Sequence, residues 1–322
     1  MVIRRGYIES YNLSVQHEFS RGFVANIAYV GTHSIRQQTS VNINAAPPDG
    51  GTAGRLLNTT YGANTNNTDI NSLQPFQGSV YNGLQAQLSR TSATHGSTGV
   101  IYTFSKSMDA SDNSQANGLI FAYPTYWSRN WALAGYDRKH NFQWWSTYNL
   151  PFGKGQYFLT SGPLRYLVGG WKINTILSYV SGTPFSITAS TGLLNAPGNT
   201  QLADRNVGVN PVLNANNNGA RQYLNPAAFS DVSTGAGVTT PRFGTSGRDS
   251  VRGPGLFNLD ASLKRTFPLH ESFALDVMAE SFDVTNTPQF ANPASNISAG
   301  GFGTITTSNA NRTLRLSGRL SF

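Results

Sequence analysis

The stretch YNLSVQHEF-SRG-FVANIAY, residues 11–29, decides how this chain is to be read. Tyr11, Leu13, Val15 and Phe19 fall on one face of an extended segment, and Asn12, Ser14, Gln16 and Glu18 fall on the other. Successive side chains of a strand point to opposite faces, so the alternation predicts a strand with one apolar and one wetted face. Ser20, Arg21 and Gly22 read as a short turn, after which Phe23, Ala25, Ile27 and Tyr29 resume the apolar stripe. The two runs predict a β-hairpin.

The same period recurs along the chain. Leu84, Ala86 and Leu88 alternate with Gln85, Gln87 and Ser89; Val100, Tyr102 and Phe104 follow after a turn. Phe142, Trp144, Ser146 and Tyr148 are opposed by Asn141, Gln143 and Thr147, and Trp171, Ile173, Leu177 and Tyr179 by Lys172, Asn174 and Ser178. Phe257, Leu259, Ala261, Leu263 and Phe267 alternate with Asn258, Asp260, Ser262, Lys264 and Thr266. Phe273, Leu275, Val277 and Ala279 alternate with Asp276 and Glu280. The last run sets Leu314, Leu316, Gly318, Leu320 and Phe322 against Arg315, Ser317, Arg319 and Ser321. These runs predict about nine strands.

The connections alternate in length. Short ones lie near residues 20–22, 90–98 and 267–272, a medium one spans 151–170, and long polar ones run near 31–80, 106–139, 182–255 and 285–311. Short turns at one end and long loops at the other belong to transmembrane barrels, whereas a soluble sandwich gives no reason for them. The long loops are expected on the extracellular side and the short turns in the periplasm. The last strand then runs toward the periplasm, and so does the first. That gives an odd strand number, whereas a single-chain bacterial barrel has an even one. An open set would also leave unpaired edges in lipid. The segment is therefore expected to be the C-terminal part of a larger all-β, antiparallel transmembrane barrel, occupying residues 1–322.

Composition agrees. Charged residues make up 12% of the 322 residues and hydrophobic ones 39%, against about 25% charged in a typical soluble domain. Asn, Ser, Thr and Gly replace the missing charge, which suits strands with one lipid-facing and one neutral polar face. Aromatic residues reach 11%, and Tyr29, Tyr102, Phe104, Tyr148, Trp171, Tyr179, Phe267 and Phe322 fall where interfacial girdles are expected. No apolar run approaches the roughly 18 residues of a membrane helix. The absence of cysteine excludes disulfides and thiolate metal sites. The net charge of +8 is scattered rather than clustered, which fits an anionic lipid surface better than nucleic acid. Residues 1–6 carry charge without a following apolar region, so no signal peptide is expected here.

The chain ends on Phe322, with Leu320, Leu316 and Leu314 at alternate preceding positions and Gly318 a weak member. This resembles the signal read by the barrel assembly machinery, in which an edge strand pairs with the assembly machine. Arg312, Arg315 and Arg319 are expected to point away from that stripe, into the lumen.

Several ordered segments resemble the barrel of Oar-like TonB-dependent transporters: YNLSVQHEFSRGFVANIAYVGTH (11–33), YTFSKSMDASD (102–112), YDRKHNFQWWSTYNLPFG (136–153), GGWKINTILSYVSGTP (169–184), RDSVRGPGLFNLDASLKRTFPL (248–269) and AESFDVTNTPQFANP (279–293). The resemblance runs from about residue 7 to Phe322. It implies a barrel of roughly 22 strands, closed by an N-terminal plug that contacts TonB, in the outer membrane of a Gram-negative bacterium. Neither the plug nor a TonB-contacting segment is recognised in this sequence. The implied function is uptake or surface binding of a solute that the sequence does not name.

Chemistry is thin. No HExxH occurs, and Gly153-Lys154 is no phosphate loop because its first glycine would fall on Tyr148. Residues 244–255 are glycine-rich but precede a strand, and read as a loop re-entering the barrel. Asp137, Arg138, Lys139 and His140 form an acid–base candidate, with an interfacial charged belt as the plainer reading. Asp109, Asp112 and Asn113 lack the spacing and closing Glu of an EF-hand, and Asn216, Asn217, Asn218 and Gly219 are turn chemistry. No catalytic residue and no cofactor is expected. A soluble secreted adhesin or glycan-binding module is the alternative class, and a rim hydrolase built on His140 and Asp137 is the third.

Overall fold

Nine long strands carry the molecule in the computed structural model, which describes residues 5–62, 67–92, 94–112, 119–213, 222–232, 240–270, 273–309 and 311–322. They are β1 (Tyr7–Phe19), β2 (Phe23–Ile35), β3 (Ser79–Ser92), β4 (Gly96–Asp109) and β5 (His140–Asn149). They continue as β6 (Lys172–Val180), β7 (Leu256–His270), β8 (Phe273–Phe282) and β9 (Thr313–Ser321). Each is about as long as a tilted strand must be to cross a bilayer. Each pairs antiparallel with its neighbour in sequence, so the sheet is one meander with β1 and β9 at its edges. The short strand Ala132–Leu133 adds only a partial extra rung beside β4.

The register carries the alternation across the whole sheet. Leu13 faces Tyr29, Tyr29 faces Leu84, Leu84 faces Phe104 and Phe104 faces His140. The opposite face aligns Ser14, Ala28, Gln85, Thr103 and Asn141. Apolar stripes stand exposed even on interior strands, with Leu84 48% and Phe104 44% accessible. A soluble sheet would bury such a stripe. Among the described residues both clusters of buried apolar side chains lie instead in the long connections. The distribution is inverted relative to a water-soluble protein, as a wall solvated by lipid requires.

The long connections are folded. In the first, Gln38–Asn42 pairs with Asn71–Pro75. In the third, Pro184–Phe185 pairs with Val251–Arg252 and Asp204–Arg205 with Phe229–Ser230. One core gathers Ile187, Ala203, Leu224, Phe229 and Val251, against which Ile297 and Phe302 of the fourth connection pack. The other joins Phe121 of the second connection to Leu194, Leu202 and Phe243 of the third. Asn199 ties three connections: its Oδ1 accepts from the amides of Ala122 (2.9 Å) and Tyr123 (3.1 Å), and its Nδ2 donates to the Ala46 carbonyl (2.9 Å). These links cross 76 to 153 residues of sequence, and no local pattern announces them.

The alternation is not strict: Val30, Ile101 and Met278 also lie on the inward face, and three further residues show how such breaks are accommodated. Trp145 and Ile176 are apolar yet share the inward face with Gln143 and Asn174, and they pair with each other. Trp145 is accommodated because it faces Gly99, where a Cβ would come within 2.7 Å of its ring. Arg265 lies on the outward stripe between Leu263 and Phe267, yet is 9% exposed. Its cover comes from the medium connection, which the sequence reads as plain loop but which forms a short helix, Arg165–Val168.

A candidate solute site on the lumen wall

Where β3, β4 and β5 reach the long connections, their inward faces bring Tyr81, Gln85, Thr103, Ser105, Ser107 and Asn141 together. Tyr136, Asp137 and Arg138 of the second connection complete a cavity of about 330 Å³. The residues come together because inward positions on neighbouring strands share a register row. Ser105 Oγ donates to the Arg138 carbonyl (2.9 Å), and Ser105 N donates to the Lys139 carbonyl (3.1 Å), which seats the connection against β4.

The roof is held by charge. The Asp137 carboxylate accepts from Ser107 N at 2.5 Å and pairs with Arg252. Arg248 is almost completely buried; it bonds to Asp109 and to Asp112 at 3.0 Å, and lies 3.5 Å from the Asp249 carboxylate. A buried guanidinium is tolerable only when paired and hydrogen-bonded; here it also donates to the Asp109 carbonyl at 2.8 Å. Burial, followed by repulsion from Asp112, pushes the Asp249 carboxyl up to about 7 against the pull of Arg248. Ser186 Oγ donates to Asp249 at 3.0 Å and accepts from its amide at 2.9 Å. Residues 244–255 therefore do return into the wall, and Arg248 and Arg252 are the pegs.

These contacts dismantle the proposed acid–base group. Asp137 lies on the lumen side beneath Arg252, whereas His140 shares the outward face with Tyr102 and Phe104. There its Nδ1 lies 2.7 Å from the Tyr102 hydroxyl. Arg138 donates to the Ser181 carbonyl at 2.7 Å, and Lys139 lies over the Phe104 ring at 5.9 Å. Asp109 and Asp112 serve Arg248 rather than a cation, and Asn113 lies outside the described residues, as does the 216–219 turn. Among the described residues no cluster of three metal-ligating side chains occurs.

On β9, Arg315 and Arg319 share a face with Glu280 and Asp276 of β8, opposite Leu314, Leu316 and Leu320. Arg315 approaches Glu280 at 3.9 Å. Arg312 does not belong with them. It precedes the strand, its even number puts it in phase with the leucines, and its backbone amide donates to Asn286 Oδ1 at 3.1 Å. Phe322 packs beside Phe273 at the short-turn end, with ring centroids 6.3 Å apart. The sequence reading missed Tyr81, Ser105, Ser107 and Tyr136 because hydroxyls on an inward face are ordinary barrel composition. Only the approach of residues 134–139 marks them out.

A meander of membrane-length strands, apolar outside and polar inside, with its long connections folded at one end, defines a wall of an outer-membrane β-barrel. The comparisons agree. The chain belongs to the outer membrane beta barrel domain family, whose model matches residues 2–315. Among solved structures it is similar to the outer membrane transporter YddB from Escherichia coli, with 10% identity and a TM-score of 0.52, over 99% of this chain and 33% of that one. It also matches the pyoverdine-bound FpvA of P. aeruginosa, with 10% identity and a TM-score of 0.47, over 100% of this chain and 28% of that one. No curated protein sequence matches. The chain thus spans about a third of the length of the first of these structures. Its place in the Gram-negative outer membrane follows from family and fold together.

Proposed function

We propose that this chain is the C-terminal part of the barrel of a TonB-dependent, Oar-like receptor, and that the complete protein takes up or binds a solute at the cell surface. The observation that carries the reading is the pairing of an exposed leucine stripe with a polar inward face roofed by long connections. The 330 Å³ cavity offers hydroxyls, amides and the Arg138 guanidinium to a solute entering from outside. In this reading the lumen is filled by a plug through which TonB supplies energy, and β1 pairs with further strands of a barrel of roughly 22. Arg315 and Arg319 line that lumen, and Leu314, Leu316, Leu320 and Phe322 engage the assembly machinery. No covalent chemistry is assigned, because Asp137 and His140 lie apart.

The test is an immunoblot of outer membranes from the native organism, with an antibody against the last ten residues. A band far above 34.7 kDa that shifts on heating is expected. A water-soluble band at the size of this chain would overturn the reading in favour of a secreted β-protein.

A further inference from the structure

The connection between β5 and β6 lies at the end of the short turns, yet it is folded and pressed against the outer wall. Gly153 N donates to the Phe158 carbonyl and Phe158 N to the Pro151 carbonyl, both at 2.9 Å, which closes its first limb. The helix Arg165–Val168 forms its second limb. The two limbs touch at glycines: a Cβ on Gly169 would stand 2.8 Å from the Gly153 Cα.

Arg265 fixes the helix to the wall. Its outward position on β7 would leave an unpaired guanidinium in hydrocarbon, which is costly. Instead it donates to the Leu167 carbonyl at 2.5 Å and to the Tyr166 carbonyl, and lies over the Phe267 ring at 4.1 Å. Trp171 Nε1 donates to the Leu167 carbonyl at 3.0 Å. The free carbonyls of the helix end are thus held by two side chains of the lipid-facing stripe. The connection stands on the outside of the wall.

Held there, it leaves Tyr157, Phe158, Leu159, Leu164, Tyr166 and Leu167 exposed, Tyr157 to 70% and Leu167 to 68%; the Tyr157 ring also stacks on His95 at 5.7 Å, which braces this limb against the β3–β4 turn. Six large apolar side chains exposed within one short connection mark a surface meant for something other than water. It is continuous with the outward stripe through Trp171 and Phe267. No acidic residue occurs between Leu150 and Lys172, whereas Lys154 and Arg165 do. The Arg165 guanidinium lies 4.6 Å from the Tyr166 ring centroid and donates to its hydroxyl. Arg90, also on the outward face at this end, stacks on Phe23 at 5.0 Å.

We propose that residues 151–170 form a foot that docks on the periplasm-facing leaflet and binds anionic phospholipid. The six apolar side chains enter the acyl boundary, and Lys154 and Arg165 reach the phosphates. The proposal rests on the membrane orientation of the wall, so its test carries a separate control for that orientation. This chain has no cysteine, so Leu167→Cys, Leu84→Cys and Thr60→Cys each add one labelling site for an environment-sensitive fluorophore, read against the equally treated unsubstituted protein. The full-length protein, purified from outer membranes, is reconstituted in phosphatidylethanolamine vesicles with or without phosphatidylglycerol, and brominated-chain phospholipid is the quencher. Label at Leu167→Cys should be quenched as strongly as at Leu84→Cys on the strand wall, and label at Thr60→Cys in the first long connection should not. Quenching at Leu167→Cys should deepen with phosphatidylglycerol, and that gain should vanish with Lys154→Gln and Arg165→Gln together. An unquenched Leu167→Cys beside a quenched Leu84→Cys sinks the foot and leaves the barrel standing. An unquenched Leu84→Cys sinks both. Quenching indifferent to phosphatidylglycerol overturns the anionic-lipid half of the proposal.

Discussion

Gly31 stands on the outward stripe of β2 without a side chain of its own, and the Tyr11 ring fills the place. A Cβ at Gly31 would come within 2.2 Å of that ring. Tyr11 and Tyr29 stack at 6.1 Å and both donate to Asn82 Oδ1, at 3.0 and 2.7 Å, so moving the ring also disturbs two hydrogen bonds. Gly31→Val should cost about 1–3 kcal/mol of overpacking, read as a lower midpoint in urea unfolding of the membrane-inserted protein. Gly318 on β9 has nothing within 4 Å of its absent Cβ, so Gly318→Val, adding a lipid-facing methyl pair, should leave the midpoint unchanged or raise it. Asp249 makes the third connection sensitive to pH. Its carboxyl titrates higher when folded, at about 7, than its ordinary 3.8, because burial and Asp112 oppose the charge. A group raised in the folded state stabilises it below its unfolded pKa and loses that contribution as pH rises through the folded value. Residues 244–255 should therefore be better protected from hydrogen exchange at pH 5 than at pH 8, after correction for intrinsic exchange. Asp249→Asn should flatten the difference.

A strand is legible because its pattern is local: alternate side chains share a face whatever the rest of the chain does. That is why all nine strands stand where the alternation puts them, and why the sequence cannot announce the loop cores, whose members meet across long separations. The exceptions follow the same logic. Trp145 is tolerated on the inward face because Gly99 makes room, and Arg265 on the outward face because the helix at Arg165–Val168 supplies carbonyls. In each case the partner lies on another element. Arg312 fails as a lumen residue for a simpler reason: it lies before the strand and out of phase with Arg315 and Arg319. The assignment of faces on β9 can be tested directly. Leu316→Arg places a charge in lipid and should cost about 2–4 kcal/mol, whereas Ser317→Arg, one residue away on the inward face, should cost far less. The measurement is the urea midpoint of each variant refolded into the same vesicles. Equal penalties would mean that the two faces are not differently solvated.

At the scale of the whole molecule, the membrane wall and the folded connections have opposite solvents, and something must join them. The wall needs no internal core, because lipid covers its apolar stripe. The connections need one, because water covers them. The junction is made by charge: Arg248 and Arg252 in the third connection reach Asp109 at the end of β4 and Asp137 just before β5. Removing one partner of such a buried pair leaves the other unpaired, at a cost of about 3–5 kcal/mol. Arg248→Met should therefore release the roof of the lumen cavity without unfolding the wall, because lipid still solvates the strands and their ladders are untouched. Hydrogen exchange at residues 244–252 and 134–138 should rise steeply, while β1 to β3 keep their protection. Adding Asp109→Asn should restore part of the lost protection, since the stranded carboxylate is then neutral. If β1 to β3 lose protection together with the roof, the two parts fold as one cooperative unit, and the division between a lipid-solvated wall and a water-solvated cap is wrong.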